Sequence, residues 1–596
     1  MHFEATLQTM GTPSYQGILV LFVYLYYHIL FIDSPVVAFS SSTIASITPT
    51  KSTVENDASP DNNDDHAAKV WKKIATSEGI EKDLTFTDYE IPDGLRGTYY
   101  VNGFGSCRIG KERLVHPFES HGFFKAITFE EDGSIKFRAK YVNTPVRKLE
   151  HIFQRPLFRG AMSSVATMNT VIGNFWNALA PTTRDTANLA VRKWGDKNKQ
   201  KRLILSCDNA PHYSLHPDTL ETIGIETMDT KILEGKKMLA HTRVDSERQR
   251  MVSVSLDYLP LEQATVIHFY EFDQAGTLIS DREYKTSPAV VFHDWMLTPN
   301  YYIVPAAEAV FDLSKIPDLI LGKSTATEVF SLDEMAPAKV LLIPRDPDQD
   351  VIESRMSDAT HGVSFHFGPS YECKTDNGRN IVLHLFVFDR YQFGDEMGFR
   401  LEEQDFAPTP WSLSNGGPKL QRWTVSINND DTTTMRSEKL SDLKADMPTF
   451  HPKKDGLFCR YMYSVCGIRE KGFFPFNALC KYDLLASDED QIVEIWPPAA
   501  AKAVHSTNYK DWDGGPGVYA EPLFVPRKGH SGDSENEVDN GNNDDDGFLL
   551  TTFHDAEAGT TTLEIFDAKT FSDGPIQKIP LGELMGWNVH SCFDPA

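Results

Sequence analysis

The sequence is short of cysteine and of basic charge. Its seven cysteines (Cys107, Cys207, Cys373, Cys459, Cys466, Cys480 and Cys592) are scattered over 596 residues with no C-x-x-C spacing. That excludes a disulfide scaffold, a zinc knuckle and a thioredoxin-like motif, and the thiols read as mostly free and buried. Lys and Arg number 58 against 84 Asp and Glu, a net charge of −26. A surface so acidic offers no basic face for nucleic acid. No G-x-G-x-x-G or Walker loop opens a helix, so phosphate-cradling chemistry has no support. No nucleophile–base triad or catalytic carboxylate pair can be read either.

What is present begins with an address. Residues 17–32, GILVLFVYLYYHILFI, are apolar except for His28 and resemble a signal-peptide core more than the ~20 residues of a membrane span. Between Ser34 and Val54 there are ten Ser or Thr, one Lys and no acid, a transit-peptide composition. We read 1–33 as a hydrophobic signal leader and 34–70 as a disordered, transit-like segment, with Ala38-Phe39 at their junction. Together they predict a plastid location; the alternative is an anchor by 17–32 in the endoplasmic reticulum or another membrane. Two acidic runs, Glu55 to Asp65 with five acids and Ser531 to Gly547 with seven, contain no Lys or Arg and read as solvated, flexible segments.

From Asp83 onward, extended runs alternate with turns carrying Asp beside Gly, Pro or Ala, as in VIHFYEFDQAGTLISDREY (266–284). This pattern predicts antiparallel hairpins and an all-β fold over 83–596. Radial repetition of four-stranded blades, a propeller, buries such hairpins while leaving only short edges. Residues 161–180 break the pattern, with Met162, Val165, Met168, Phe175 and Leu179 at helical spacing. They predict an apolar helix that either packs on the core or docks on a membrane and admits a lipid-soluble substrate.

The chemical signal lies in the histidines. His241, His293, His366 and His590 each sit in or at the end of an apolar extended run, too far apart for any local metal motif. They suit ligands delivered by separate blades to one axis. His268, His361, His384 and His554 have comparable surroundings, so spacing alone leaves the choice among the eight open.

Several segments in order resemble the carotenoid cleavage oxygenase (retinal pigment epithelial membrane protein) family. GLRGTYYVNGFGSCRIG (94–110) is similar to the family's G-x-Y-x-R-N-G-P strand, with Val101 and Phe104 in place of Arg and Pro. HPFESHGFFKAITF (116–129) and DTANLAV (185–191) resemble its H-x-F-D-G-D-G-M and N-T-A-N-T stretches. AHTRVD (240–245), FHDWMLTPNY (292–301), FHFGPSYE (365–372) and GWNVHSCF (586–593) stand where the family carries its metal-binding histidines.

The resemblance implies a seven-bladed β-propeller with a helical cap, 161–180 included, over Fe(II) on the axis. One Fe(2+) per chain would be held by His241, His293, His366 and His590. It also implies carboxylates behind three ligands: Asp208 on His293, Asp446 on His366 and Glu521 on His590. The family has Glu at all three places, so the two Asp must come closer or act through water. The implied activity is cleavage of a carotenoid or apocarotenoid double bond by O2 into two carbonyl products. Alternatives on the same fold are stilbene cleavage, retinoid isomerohydrolysis and a metal-free scaffold. A long apolar tunnel would choose the bond by position; Phe124, Trp295 and Phe367, beside the ligands, are its expected wall. The 161–180 region would give peripheral membrane contact.

Overall fold

The hairpin read at 266–284 shows why these residues fold as they do. Strands Ala264–Phe272 and Leu278–Thr286 pair antiparallel, and the second alternates between half-buried and exposed along its length. Between them Asp273 accepts Ala275 N and Thr277 N on Oδ1, both at 2.8 Å, and Gly276 takes φ +83°. A side chain with acceptors at one turn position and a glycine at the next are what such a turn requires.

The computed structural model describes residues 62–596 apart from 115, 159, 162–183, 196–200, 321–327, 334–335, 358–362, 389–416, 470–471, 487–492, 507–511, 513 and 529–542. All described residues belong to the unit Pro60–Ala596. The leader 1–33, most of the segment 34–70 and all of the expected helix 161–180 except Ala161 lie outside them.

The fold is all-β, and every strand pairing is antiparallel. In chain order the first large sheet runs Lys82–Phe86, Ile135–Tyr141, Phe123–Phe129, Gly97–Gly103 and then Asn588–Pro595. The last strand of the chain therefore completes the first sheet, with Tyr99 opposite Phe593 and Val101 opposite Ser591. The second sheet holds Ala190–Trp194 to Thr222–Ile225, the third Arg243–Asp245 to Leu278–Thr286, and the fourth is six-stranded around Tyr301–Phe311. The fifth has seven strands because the 18-residue strand Thr433–Phe450 serves two four-stranded units. Its first part pairs with Lys419–Asn428 and its end with Tyr461–Cys466. The sixth is built on Gly547–Asp555, Thr560–Asp567 and Pro575–Glu583.

Apolar faces join each sheet to the next. Tyr100 and Phe124 of the first meet Val191 and Leu203 of the second; Trp194 and Ile204 meet Met251 and Tyr270 of the third. Val254 and Phe269 pack on Tyr302 and Val304, Val340 and Leu342 on Leu383 and Trp423, and Tyr463 and Leu479 on Phe524 and Leu549. The series returns to its start where Phe548 and Ile565 of the sixth sheet pack on Tyr99 and Ile127 of the first.

Two expectations need correction. The transit-like segment cannot extend to 70, because Asn62–Ala75 is a helix whose buried residues Ala67, Val70, Trp71 and Ile74 recur at helical spacing. Trp71 stands edge-on to Phe474 at 4.6 Å and to Trp587 at 5.8 Å, so this helix is part of the core. The second acidic run is not solvated throughout. Asp544 and Asp545 are buried: Asp544 Oδ2 accepts the N–H of Arg460 at 2.7 Å, and Asp545 Oδ2 accepts from Lys481 Nζ at 2.9 Å. Counter-charges and amides brought from other sheets offset the cost of burying these acids, and a reading of local charge could not see them.

Candidate metal centre

Four imidazoles meet at one place. His241 comes from the loop before Arg243–Asp245, His293 from the loop between Ala289–Val291 and Met296–Leu297, His366 from Val363–Thr375 and His590 from Asn588–Pro595. One nitrogen from each lies within 4.8 Å of the others. Ring centroids stand 4.5 Å apart for His241–His590 and 5.2 Å for His241–His366. The register shifts at His366 and at His590, where two residues of one strand oppose a single residue of its partner. Such bulges re-aim a side chain out of the regular alternation, and here both imidazoles turn inward.

Behind the rings the carboxylates are in direct contact. His590 Nδ1 lies 2.9 Å from Glu521 Oε1, and His366 Nδ1 3.1 Å from Asp446 Oδ1. His293 Nδ1 is hydrogen-bonded to Asp208 Oδ2. The two shorter Asp side chains reach their imidazoles directly, without a bridging group. Asp208 precedes Asn209 at φ 57° and is tied down by Ala240 N, which donates to Oδ1 at 2.8 Å; Asp446 precedes Met447, also at φ 57°. Among the described residues His241 has no such acceptor. Asp294 Oδ1 is 3.9 Å from its Nδ1, too far for a hydrogen bond, and that carboxylate accepts from Arg243 at 2.7 Å and from Trp295 N at 2.8 Å.

With Nδ1 of three rings engaged outward, their Nε2 atoms are left for the centre. Among the described residues Nε2 of His366 and of His590 are buried without a hydrogen-bond partner, an arrangement that costs free energy unless something binds there. His241 Nε2 and His293 Nε2 are 3.1 Å apart, close to the ~3.0 Å expected for neighbouring ligands at right angles on bonds of ~2.1 Å. Burial, then the three neighbouring imidazoles, hold His241 well below its usual pKa, so its lone pair is free. Burial also lowers His366, but the Asp446 carboxylate outweighs it and the net shift is upward. The donor set fits a metal that accepts imidazole.

The other histidines have other partners. His384 Nδ1 meets Pro369 O at 2.9 Å, His554 Nδ1 meets Met585 O at 3.1 Å, and His268 lies 3.6 Å from both Asp257 and Glu283. His361 lies outside the described residues.

Three cavities touch the centre. One of about 190 Å³, walled by Phe104, Phe365, Phe388, Phe474 and Trp587, reaches His293, His366 and His590. A second, of about 120 Å³, shares Asp208, Asn209, His293 and Phe365 with it. A third, polar and of about 350 Å³, meets His241, His366 and His590 beside Arg243, Asp294 and Asp455. Of the expected tunnel residues, Phe124 and Trp295 line none of these. Phe124 is packed between the first two sheets and Trp295 between the third and fourth, its Nε1 donating to His241 O at 3.0 Å. Phe367 faces the polar cavity. Proximity in sequence misled here, because the residue on the other side of His366, Phe365, is the one that faces the apolar cavity. The readable signal for its wall was the aromatic cluster Phe473, Phe474 and Phe476.

The apocarotenoid-15,15'-oxygenase of Synechocystis is 26% identical over 537 residues, 89% of this chain and 96% of that protein. The chloroplastic carotenoid cleavage dioxygenase 7 of Arabidopsis thaliana is 25% identical over 541 residues, 80% of this chain and 81% of that one. Solved structures of the Synechocystis apocarotenoid oxygenase match with TM-score 0.72 at 23% identity, covering 88% of this chain and 98% of theirs, and one solved form is cobalt-substituted. Residues 75–595 match the family model described as retinal pigment epithelial membrane protein, and the chain belongs to that family.

Proposed function

We propose that this chain is an Fe(II)-dependent dioxygenase that cleaves one conjugated double bond of a carotenoid or apocarotenoid with O2, giving two carbonyl products. The observation that carries this reading is the convergence of His241, His293, His366 and His590 beside an aromatic-walled cavity, three of them backed by carboxylates. The names of the Synechocystis and Arabidopsis relatives point the same way. The cobalt-substituted relative supports a metal at this place, and four neutral imidazoles suit ferrous iron, one per chain. Bound there, ferrous iron would supply the one-electron chemistry that lets O2 react with a closed-shell polyene.

The protein's part is positional. Asp208, Asp446 and Glu521 accept the Nδ1 protons of their imidazoles, fix the tautomer and leave Nε2 pointing inward as a more basic ligand. The aromatic walls bury the polyene, exclude water and decide which double bond lies beside the centre. No side chain has to move a proton for C=C to become two C=O groups.

Other features fit this reading. Six large sheets, the fifth counting as two units that share a strand, make seven units packed in series with the last strand completing the first sheet, and they support a seven-bladed propeller. Peripheral membrane contact through the 161–180 region would supply the lipid-soluble substrate. Earlier in the chain, Ile152 and Phe153 are exposed at 71% and 43%. The leader composition and the chloroplastic relative support a plastid location.

The test is protein reconstituted anaerobically with Fe(II), then given a carotenoid and apocarotenoid panel in detergent under O2. Paired aldehyde or ketone products in the mass spectrum are expected. Iron near one per chain with no carbonyl product from any polyene would sink the reading. Turnover of a hydroxystilbene instead, or of a retinyl ester without O2 uptake, would replace it.

A further inference from the structure

Lys125, in the strand Phe123–Phe129, is a lysine at 1% exposure. Among the described residues no carboxylate meets it. Its Nζ donates to Asn588 Oδ1 and stands 4.8 Å from the centre of the Phe123 ring. Burial without a counter-charge brings its pKa down to about 7.

From Asn588 the hydrogen bonds run on in one direction. Asn588 Nδ2 donates to Thr552 Oγ1 at 2.8 Å, Thr552 Oγ1 lies 3.1 Å from His554 Nε2, and His554 Nδ1 lies 3.1 Å from Met585 O. A carbonyl can only accept, so His554 carries a proton on Nδ1. Burial, then the charge of Lys125, brings the His554 pKa down to about 3, so the ring is neutral and Nε2 accepts from the Thr552 hydroxyl. The Thr552 oxygen then accepts from Asn588, and Asn588 Oδ1 accepts from Lys125. Lys125, Asn588, Thr552 and His554 are all fully buried, so no solvent competes for these bonds. Burying an amine away from any carboxylate costs free energy that an apolar side chain of equal length would not. What the chain supplies is a fixed direction for Asn588.

Asn588 stands where direction matters for the centre. It pairs with Gly103, and Ser591 pairs with Val101, so Asn102 alone faces both Val589 and His590. The bulge that carries His590 therefore begins at Asn588 and ends at Ser591. The strands are pressed together at its start: a Cβ on Gly103 would come within 2.7 Å of Asn588 Cα and 3.0 Å of its Oδ1. Glu521 holds the far end, through His590 Nδ1 and Ser591 N. A carboxylate on one ring nitrogen still lets the imidazole swing unless the chain on its other side is held as well.

We propose that Lys125 is a positioning residue of the metal centre: through Asn588 it fixes the near end of the bulge, and with it the aim of His590 Nε2. This rests on the metal centre of the function proposed above. It adds to that centre a side chain from a strand not adjacent to the last one, touching neither metal nor substrate.

The test is uptake of Co(II) by the full-length chain under nitrogen. Competition with a chelator of known affinity gives Kd, and the visible absorption of the bound ion reports the ligand geometry. Lys125→Met keeps the length and removes the donor, whereas Lys125→Gln keeps a donor without the charge. Thr552→Val breaks the chain one link further on. Melting temperatures of the metal-free proteins read stability separately. Lys125→Met and Thr552→Val should weaken Co(II) binding about tenfold and shift the visible spectrum. Lys125→Gln should return most of the native Kd and spectrum, whatever its melting temperature, which a merely structural role would not produce. A native Kd and spectrum in Lys125→Met would overturn the assignment, as would a Lys125→Gln protein no better than Lys125→Met. Should Lys125→Met fail to fold, a native Kd and spectrum in Thr552→Val would overturn it equally. If the native chain takes up Co(II) and the variants match it, only this inference falls; if the native chain takes up none, the metal centre falls with it.

Discussion

Glu521 fixes His590 and the chain beside it at once: Oε1 lies 2.9 Å from His590 Nδ1, while Oε2 accepts the backbone N–H of Ser591 at 3.2 Å. The carboxylate therefore aims the imidazole and pins the bulge that carries it. Glu521→Ala should weaken metal binding about 10–100-fold. Glu521→Gln, which keeps an acceptor on Nδ1–H, should weaken it less. Competition with a chelator of known affinity reads both. An alanine variant that binds metal like the native chain would show that the carboxylate does not position the ligand.

Phe365 belongs to both apolar cavities and stands 5.8 Å from His293, edge to face. It is the wall nearest the point where one bond must be chosen among near-identical ones. Phe365→Ala should widen the junction and let a polyene settle in more than one position. The expected result is a broader set of product lengths in the mass spectrum, with metal content unchanged. A single unchanged product pair would place bond selection elsewhere.

Trp71 ties the first described helix to Phe474 and Trp587, two residues of the aromatic cavity wall. Trp71→Ala should cost about 3–5 kcal/mol through the cavity it leaves. A chain beginning at residue 61 should melt like the full-length protein, and one beginning at residue 83 well below it. Equal melting temperatures for the two would mean that the helix adds nothing to the core.

The hairpins and the positions of the four histidines were legible because they follow from local pattern and from short motifs in fixed order. The contacts Asp208–His293 and Asp446–His366 could be named from the sequence, yet whether the shorter side chains would reach could not, and each is followed by a left-handed residue, Asn209 and Met447, which no alternation of polar and apolar residues announces. Which cavity each expected wall residue would face was not legible for a related reason. Sequence neighbours of a ligand are not its spatial neighbours once a bulge turns the strand, so Phe367 went to the polar side and Phe365 to the apolar one. Asp544 and Asp545 look solvated in sequence because their partners, Arg460 N and Lys481, lie more than sixty residues away.

Glu150 gives the acid limb of stability a specific origin. Its carboxylate is fully buried in the helix Pro145–Phe153, where Oε1 accepts from Leu157 N at 2.8 Å and from Arg184 at 3.0 Å and Oε2 meets His121 at 2.8 Å. Burial alone would raise its pKa, but the hydrogen bond from His121 and the charge of Arg184 outweigh that and bring it down to about 2. Burial holds His121 below its usual value despite Glu150, so the imidazole acts as a neutral N–H donor and Arg184 is the counter-charge. A carboxylate whose folded pKa lies below its unfolded one contributes stability at pH above the unfolded value, near 4.5, and loses it as pH falls towards 2. Glu150→Gln should therefore destabilise the protein at pH 7 by about 3–5 kcal/mol, since it strands Arg184. It should also flatten the fall in stability between about pH 4.5 and 2. Urea midpoints measured across that range for both chains decide the matter: parallel curves would mean that the acid sensitivity arises from other carboxylates.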